Sequence, residues 1–211
     1  MGKADGLTGF GDRWERLLRL ATVALEVPSG KRGVPPVSGS GFFVAPGVVV
    51  TCAHVVAPCL DDLPEEVHGL TTSGGRLRLR ASGSAYMRDD RGLDIAFLRT
   101  AGDGNLSDLP YVLLSPRIEV GDEVWTYGHP EGRFRGGQPA SFKYEGCSRP
   151  DIGGGIELMR LRGTPVGPGF SGSAVANRRT GAVCGMLCTS DRAGSAHMLP
   201  AHEIIARCAD V

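Results

Sequence analysis

Residues 41–51 have the sequence GFFVAPGVVVT, which is two apolar runs joined by a short Ala-Pro-Gly segment. Phenylalanine and valine are enriched in β-strands, and Pro46 followed by Gly47 favours a tight turn, because proline presets φ and glycine tolerates a positive φ. Further short apolar runs recur along the chain, at residues 23–27, 76–80, 95–99, 124–127, 157–161, 174–176 and 182–188. Many short strands separated by turns predict an all-β chain of the sandwich or barrel type.

The composition is consistent with many turns and excludes several classes of function. Of 211 residues, 32 are glycine and 14 are proline, and 23 basic side chains balance 23 acidic ones. A net charge of zero argues against a general nucleic-acid binder, whose surface would carry a basic excess. We find neither a membrane-spanning apolar stretch nor a secretory signal, and expect the six cysteines to stay reduced. We therefore expect a cytoplasmic protein with no nucleic-acid or membrane partner.

Two segments near the chain ends have helical spacing. Asp12 and Glu15 resemble a capping box, and apolar residues recur at helical spacing from Trp14 onward. We therefore expect a short amphipathic helix that follows a loose stretch of residues 1–11. Pro200 precedes apolar residues at helical spacing and fits the first turn of a C-terminal helix.

The polar stretch at residues 102–108 is the best candidate for a connector between two β-rich halves. It divides the chain into an N-terminal segment of residues 1–20, a first unit of residues 21–108 and a second unit of residues 109–211 that includes the C-terminal helix. A free-standing protein and a domain that is fused to, or regulated by, another protein fit this sequence equally.

Three strings each place one polar residue beside an apolar β-type run: TCAHVV at 51–56, GLDIAFL at 92–98 and GPGFSGSA at 167–174. They supply His54, Asp94 and Ser171. A serine hydroxyl becomes a nucleophile when a base takes its proton and a carboxylate orients that base. Gly169 can adopt the tight conformation that directs its N–H, together with the N–H of Ser171, at a developing oxyanion. The pattern therefore predicts acyl-transfer chemistry.

Three further stretches accompany these strings: SGSGFFV at 38–44, VGDEVWTYGHPEG at 120–132, and GAVCGM at 181–186 followed by MLP at 198–200. Together, and in their order along the chain, these six motifs resemble those of the trypsin-like (chymotrypsin-fold) serine proteases, particularly the bacterial HtrA-like and glutamyl-endopeptidase-like branches. The resemblance extends over residues 23–206.

This resemblance implies two antiparallel six-stranded β-barrels with the active site in the cleft between them. His54 and Asp94 would lie on the first barrel and Ser171 on the second. The implied activity is that of a serine endopeptidase that forms an acyl-enzyme and needs no cofactor, and the implied partner is a protein or peptide substrate.

The resemblance assigns substrate binding to six residues: Pro165, Val166, Leu187, Cys188, Thr189 and Ser190. The first three would line the pocket for the residue before the scissile bond, and none of them is charged. The last three would pair with the substrate backbone as an added strand. We therefore expect a preference for small or medium uncharged residues.

The sequence departs from the family pattern in three ways. Phe170 stands where most members have Asn or Asp, Ser173 and Ala174 stand where Gly-Pro is commonest, and His129 replaces an Asn. Because Phe170 cannot pair with a freed amino terminus, we expect no activation by amino-terminal processing. These departures keep open a protease-fold binding module without turnover, and an esterase would use the same chemistry.

Some residues have competing or simpler interpretations. Asp89, Asp90 and Asp103 are rivals of Asp94, and Ser173 is a rival of Ser171. The thiols of Cys52, Cys184 and Cys188 are soft metal ligands, but without a C-x-x-C pair we expect them to fill the core, and we predict no metal site. Surface or turn positions are expected for the remaining histidines: His68, His129, His197 and His202.

Overall fold

The computed structural model describes residues 8–27, 36–57, 66–88, 93–101, 109–130, 136–148, 155–191 and 193–208. Within these ranges the first six strands are β1 Thr22–Val27, β2 Val37–Ala45, β3 Val48–Thr51, β4 Val67–Thr71, β5 Arg76–Arg88 and β6 Asp94–Thr100. The next six are β7 Glu123–Gly128, β8 Gln138–Ser148, β9 Leu158–Gly163, β10 Ala174–Asn177, β11 Val183–Ser190 and β12 Ser195–Pro200. The helices are α1 Thr8–Ala21, α2 Ala53–Val56 and α3 Ala201–Cys208.

The strands form two closed antiparallel barrels. The first has the order β1-β2-β3-β6-β5-β4 and the second the order β10-β11-β12-β9-β8-β7. This confirms the predicted fold of two six-stranded barrels with short helices near both ends. The hairpin of residues 41–51 is part of the first barrel, where Phe42 pairs with Val50 and Phe43 with Val49, and all four side chains are buried.

Three strands were not expected from the hydrophobic pattern: β4, β8 and β12. Gly69 interrupts the apolar residues of β4, and His197 interrupts those of β12. In β8, Pro139 lies near the start, and the register against β9 shifts between Tyr144 and Gly146. Proline and a bulge both weaken the alternating signal that identifies a strand in sequence.

The N-terminal helix begins at Thr8, so the expectation that residues up to 11 are loose is wrong for the described part of that stretch. Asp12 lies inside the helix rather than at its cap. Residues 1–7 lie outside the described residues. None of the helices in the described ranges has both the length and the apolar character that a bilayer crossing needs.

Helix α1 precedes the first barrel in sequence but packs against the second. The Trp14 ring meets the Trp125 ring of β7 edge to face, with 5.6 Å between centroids. Glu15 pairs with Arg178, which follows β10, at 3.4 Å. The helix therefore ties the two barrels together, since its own chain continues directly into β1.

The described part of the segment between the barrels also contacts both of them. The Val112 N–H donates to the Phe43 carbonyl of the first barrel at 2.9 Å. The Val183 N–H of the second barrel donates to the Leu113 carbonyl at 2.8 Å. The predicted connector at residues 102–108 lies outside the described residues, so the boundary at residue 108 stays a prediction.

A cluster of polar side chains holds the residues just before β7 against the end of β10. Asp122 accepts hydrogen bonds from Arg179 at 3.0 Å, from the Asn177 amide at 2.7 Å and from the Glu119 N–H at 3.0 Å. These contacts, led by the bond from Arg179, lower the pKa of Asp122 to about 2. The carboxylate therefore joins the end of β10 to the start of β7.

We expect Asp122→Asn to remove part of the acid sensitivity of the fold. A carboxyl whose pKa is depressed in the folded state stabilises it above the unfolded pKa, and this contribution is lost as pH falls through the folded pKa. The loss should amount to at most about 2 kcal/mol between neutral pH and pH ~2. Melting curves of wild type and variant over that range measure it.

Glu119→Gln is the matched control, because Glu119 contacts the same Arg179 at 3.2 Å while 79% of its side chain is exposed. It should reproduce the wild-type pH dependence, since exposed ion pairs contribute little. If the stability of Asp122→Asn fell with decreasing pH as much as that of wild type, the prediction would be contradicted.

Candidate active site

His54 and Asp94 are brought together by the pairing of neighbouring strands. Strand β3 ends at Thr51, and the short helix α2 places His54 just beyond it. Asp94 begins β6, whose Ala96 pairs with Thr51. The His54 N–H donates to Asp94 Oδ1 at 2.9 Å, and Nδ1 lies 2.5 Å from Oδ2. Two contacts therefore fix the imidazole relative to the carboxylate.

The direction of this hydrogen bond determines what the imidazole can do. A carboxylate only accepts, so His54 Nδ1 carries the shared proton and Nε2 is left to accept another. The His54 side chain is 32% exposed and that of Asp94 is 18% exposed. The pair is thus accessible to a reacting group from the His54 side.

The Ser171 loop is held by glycines with positive φ and by contact with the first barrel. Gly169 has φ 97° and Gly172 has φ 86°, conformations that other residues rarely adopt. A Cβ on Gly172 would lie 2.0 Å from the Ser40 carbonyl oxygen. The Ser40 N–H donates to the Ser171 carbonyl at 2.9 Å, which places the loop against the barrel that carries His54.

The hydroxyl of Ser171 has a different partner from the expected one. It donates to the Cys188 carbonyl at 3.2 Å rather than to His54. A turn about one side-chain torsion redirects a serine Oγ, and catalytic hydrogen bonds often tighten only when substrate binds. In this arrangement the Ser171 hydroxyl is hydrogen-bonded to the Cys188 carbonyl, and a rotation of its side chain would be needed to redirect it.

Ser173 differs sharply from Ser171 in its surroundings. It is fully buried, and its hydroxyl donates to the Phe170 carbonyl at 2.5 Å. Ser171 is partly exposed, so only Ser171 of the two can meet a substrate. The rivals of Asp94, which are Asp89, Asp90 and Asp103, lie outside the described residues.

Phe170, the departure next to the nucleophile, is buried in the second barrel. A Cβ on Gly128 would lie 2.7 Å from its ring, so the ring packs directly on the backbone at the end of β7. The Ser171 loop is thus anchored at Phe170 by apolar packing. A phenylalanine side chain cannot form an ion pair at this position.

The proposed substrate residues fall into two groups. Val166 and Leu187 are buried in the same apolar cluster as Phe170, and Cys188 is also buried. Pro165, Thr189 and Ser190 are exposed. The Ser190 hydroxyl donates to the Val166 carbonyl at 3.3 Å, which links the segment before the nucleophile to the end of β11.

Cys52, His54 and Asp94 bring three possible metal-ligand atoms within 4.8 Å of one another. However, two of them, His54 Nδ1 and Asp94 Oδ2, are only 2.5 Å apart. Two tetrahedral zinc ligands at ordinary bond lengths lie about 3.3 Å apart, so the pair has the spacing of a hydrogen bond. Burial, the neighbouring Cys188 thiol and Asp94 raise the pKa of Cys52, which also disfavours the thiolate that a metal needs.

Cys184 is likewise buried in the core, and burial raises its pKa to about 12. His129, expected at the surface or in a turn, directly follows β7 outside the regular elements, and only 4% of it is exposed. Its ring packs edge-on against Tyr127 at 5.8 Å, an aromatic contact that a sequence-based surface assignment misses. His68 and His202 are exposed, and His197 is partly exposed.

The family model for the trypsin-like peptidase domain matches residues 39–186. The chain belongs to the trypsin-like peptidase family. The matched range of this peptidase domain contains His54, Asp94 and Ser171. A comparison of its sequence with curated proteins finds no significant match.

Solved structures of similar fold include those of Rv3671c from M. tuberculosis. Its active form has a TM-score of 0.70 at 22% identity, covering 93% of this chain and 82% of that chain. Its inactive form has a TM-score of 0.71 at 20% identity, covering 100% of this chain and 99% of that chain. An inactive serine-to-alanine mutant from strain H37Rv has a TM-score of 0.69 at 21% identity, covering 94% and 89% respectively.

Proposed function

We propose that this peptidase is a serine endopeptidase with His54, Asp94 and Ser171 as its catalytic triad. The observation that carries the proposal is the doubly hydrogen-bonded pair of His54 and Asp94. It lies on the barrel against which the Ser171 loop is held. Support also comes from the fold, which is that of a protease in the Rv3671c structures.

In this mechanism Ser171 Oγ attacks the substrate carbonyl carbon while its proton passes to His54 Nε2. The carbonyl π electrons move to the oxygen, which becomes an oxyanion. When the oxyanion collapses, the peptide C–N bond breaks and His54 returns the proton to the leaving amine. Water then releases the acyl group from Ser171 by the same two steps. Asp94 keeps the imidazole in the tautomer that can accept at Nε2.

The N–H groups of Gly169 and Ser171 are proposed to stabilise the oxyanion. Converging donors stabilise an oxyanion strongly in a water-poor cleft, since removing one side-chain donor from an oxyanion hole costs about 2.7–4 kcal/mol. The positive φ of Gly169 is the conformation that a residue with a side chain would resist. The need for this conformation explains why a glycine stands at the position of the proposed oxyanion donor.

The substrate is proposed to bind in extended form along the end of β11. On one side, Thr189 and Ser190 pair with β12. On the other side, the Cys188 carbonyl meets the Ser171 hydroxyl, so a peptide added at this edge would pass directly over the nucleophile. Backbone hydrogen bonds would then align the scissile bond.

The motifs favour the HtrA-like and glutamyl-endopeptidase-like branches of the family, and we retain that assignment as part of the proposal. The substrate is a protein or peptide. The cytoplasmic location expected from the sequence stays a prediction, as does regulation by a fused domain or partner.

Incubation with an unstructured protein, followed by mass spectrometry of the products, tests the activity. The wild type should generate internal cleavage fragments, and Ser171→Ala should generate none. Hydrolysis of simple esters without any peptide cleavage would indicate an esterase instead.

The alternative function is a protease-fold module that binds a peptide without cleaving it. One observation favours it, namely that the Ser171 hydroxyl donates to Cys188 rather than to His54. Under this alternative, wild type and Ser171→Ala would bind the same unstructured protein equally and leave it intact.

We expect the enzyme to prefer a small or medium uncharged residue before the scissile bond. Val166 and Leu187 are apolar and buried with Phe170, so they offer no charged partner, and a charged side chain bound beside this cluster would lose hydration without gaining a partner. Discrimination between uncharged residues should be modest, at roughly 10–200-fold per methylene group. Cleavage of an unbiased peptide library, with Ser171→Ala as the blank, measures the preference. A dominant preference for Arg, Lys or Glu would contradict it.

A further inference from the structure

Ser40 is a buried residue of the first barrel that contacts the nucleophile loop of the second. It lies in β2 and has no exposed surface. Its N–H donates to the Ser171 carbonyl at 2.9 Å, and its hydroxyl donates to the Gly169 carbonyl at 2.7 Å. Ser40 thus binds the loop at two points, the carbonyls of Ser171 and Gly169.

The orientation of the Ser40 hydroxyl is fixed by a second hydrogen bond. The His129 N–H donates to the same oxygen at 2.9 Å. Because an N–H can only donate, the hydroxyl proton must point to the acceptor on its other side, the Gly169 carbonyl. The hydroxyl is therefore a directed donor with both of its partners defined.

The loop itself supplies little restraint at this point. Gly167, Gly169 and Gly172 lie within six consecutive residues, and glycine resists backbone rotation less than any other residue. The hydrogen bond from the Phe170 N–H to the Gly167 carbonyl is long, at 3.5 Å. Phe170 adds apolar packing but no directional bond from its side chain. The Ser173 hydroxyl restrains the Phe170 carbonyl, whereas the Gly169 carbonyl accepts its hydrogen bond from outside the loop, from Ser40.

We propose that Ser40 is a positioning residue, whose hydroxyl holds the Gly169 carbonyl and so keeps the Gly169 N–H aimed at the oxyanion. The proposal rests on the proposed function, since it concerns the same reaction. The carbonyl and the N–H of Gly169 belong to adjacent peptide groups joined at one Cα, so once the carbonyl is fixed only the φ and ψ of Gly169 can turn the donor. Ser40 acts through Gly169 and does not touch the substrate.

Ser40→Ala tests the proposal. It removes the donor and leaves the nucleophile, the base and the substrate strand in place. We expect kcat for a peptide ester to fall roughly 10- to 100-fold with KM changed less than about threefold, which is the signature of an interaction made in the transition state.

A pair of inhibitors separates positioning from a general structural effect. When a peptide aldehyde adds to Ser171, Oγ bonds to the carbonyl carbon as the C=O π bond breaks, the hydroxyl proton passes to His54 Nε2, and the former carbonyl oxygen enters the oxyanion site. The matching peptide alcohol binds the same subsites but cannot form that bond. Ser40→Ala should weaken the aldehyde roughly 10- to 100-fold and leave the alcohol within about twofold.

Thr22→Val is the matched control. Thr22 is fully buried, and its hydroxyl donates to the Leu18 carbonyl at 2.7 Å, the same length as the bond from Ser40 to Gly169. It should lower the melting temperature without changing the ratio of aldehyde to alcohol affinity. Ser40→Cys, which retains the side-chain volume and a weaker donor, should give an intermediate ratio and serves if Ser40→Ala does not fold.

Two failures are distinguishable. If the wild type hydrolyses neither peptide nor ester, the proposed function fails. If the wild type is active and both Ser40 variants keep its kcat and its aldehyde-to-alcohol ratio within about twofold, the positioning role of Ser40 is overturned while the proposed function stands.

Discussion

Replacing Ser171 or His54 by alanine is expected to lower peptide hydrolysis by at least about 10³-fold, because a triad acts as one unit and loses most of its effect with any one member. In the proposed mechanism Ser171 supplies the attacking oxygen. The proposed base is His54, which is held by two contacts to Asp94. Steady-state hydrolysis of a peptide that wild type cleaves measures the loss, and melting temperatures show that the variants fold.

Ser173→Ala is the matched control for the serine assignment. It removes the buried hydroxyl that donates to the Phe170 carbonyl and should cost stability rather than chemistry. If Ser173→Ala abolished hydrolysis and Ser171→Ala retained it, the register of the nucleophile loop would be wrong.

Trp14→Ala is expected to destabilise the fold by about 3–5 kcal/mol, the usual cost of truncating a buried tryptophan. Trp14 is 8% exposed and packs edge to face on Trp125, so its loss opens a cavity between α1 and the second barrel. For a chain of this size the melting temperature should fall by roughly 6–20 °C. Thermal unfolding measured by circular dichroism gives the shift.

Leu17→Ala is the control on the same helix, because Leu17 is 48% exposed and should shift the melting temperature far less.

Neither substitution should raise activity, since Phe170 provides no partner for a freed amino terminus. A large gain of hydrolysis after removal of residues 1–20 would contradict this part of the account.

The barrels and the catalytic candidates could be predicted because their signals are local. Asp94 stands directly before an apolar strand, and His54 directly after one. Pairing of those two strands then brings the side chains together. Ser171 was identified by its flanking glycines, and the positive φ of Gly169 and Gly172 is what those glycines allow.

The contacts that tie distant segments together could not be predicted in the same way. The bond from Ser40 to Gly169 joins residues 129 positions apart, and its only trace in sequence is a serine in a glycine-rich strand. The docking of α1 depends on Trp125, which the pattern identified only as part of an apolar strand. His129 is polar by type yet buried, with its ring against Tyr127, and residue type alone could not predict that burial.

A fluorophosphonate probe tests the central claim most directly, because its phosphorus is attacked only by an activated serine, with loss of fluoride. We predict that the folded wild type gains a single adduct, that peptide mapping places it on Ser171, and that Ser171→Ala gains none. A folded wild type that never labels, or that labels at a different serine, would contradict the assignment of Ser171 as the activated nucleophile.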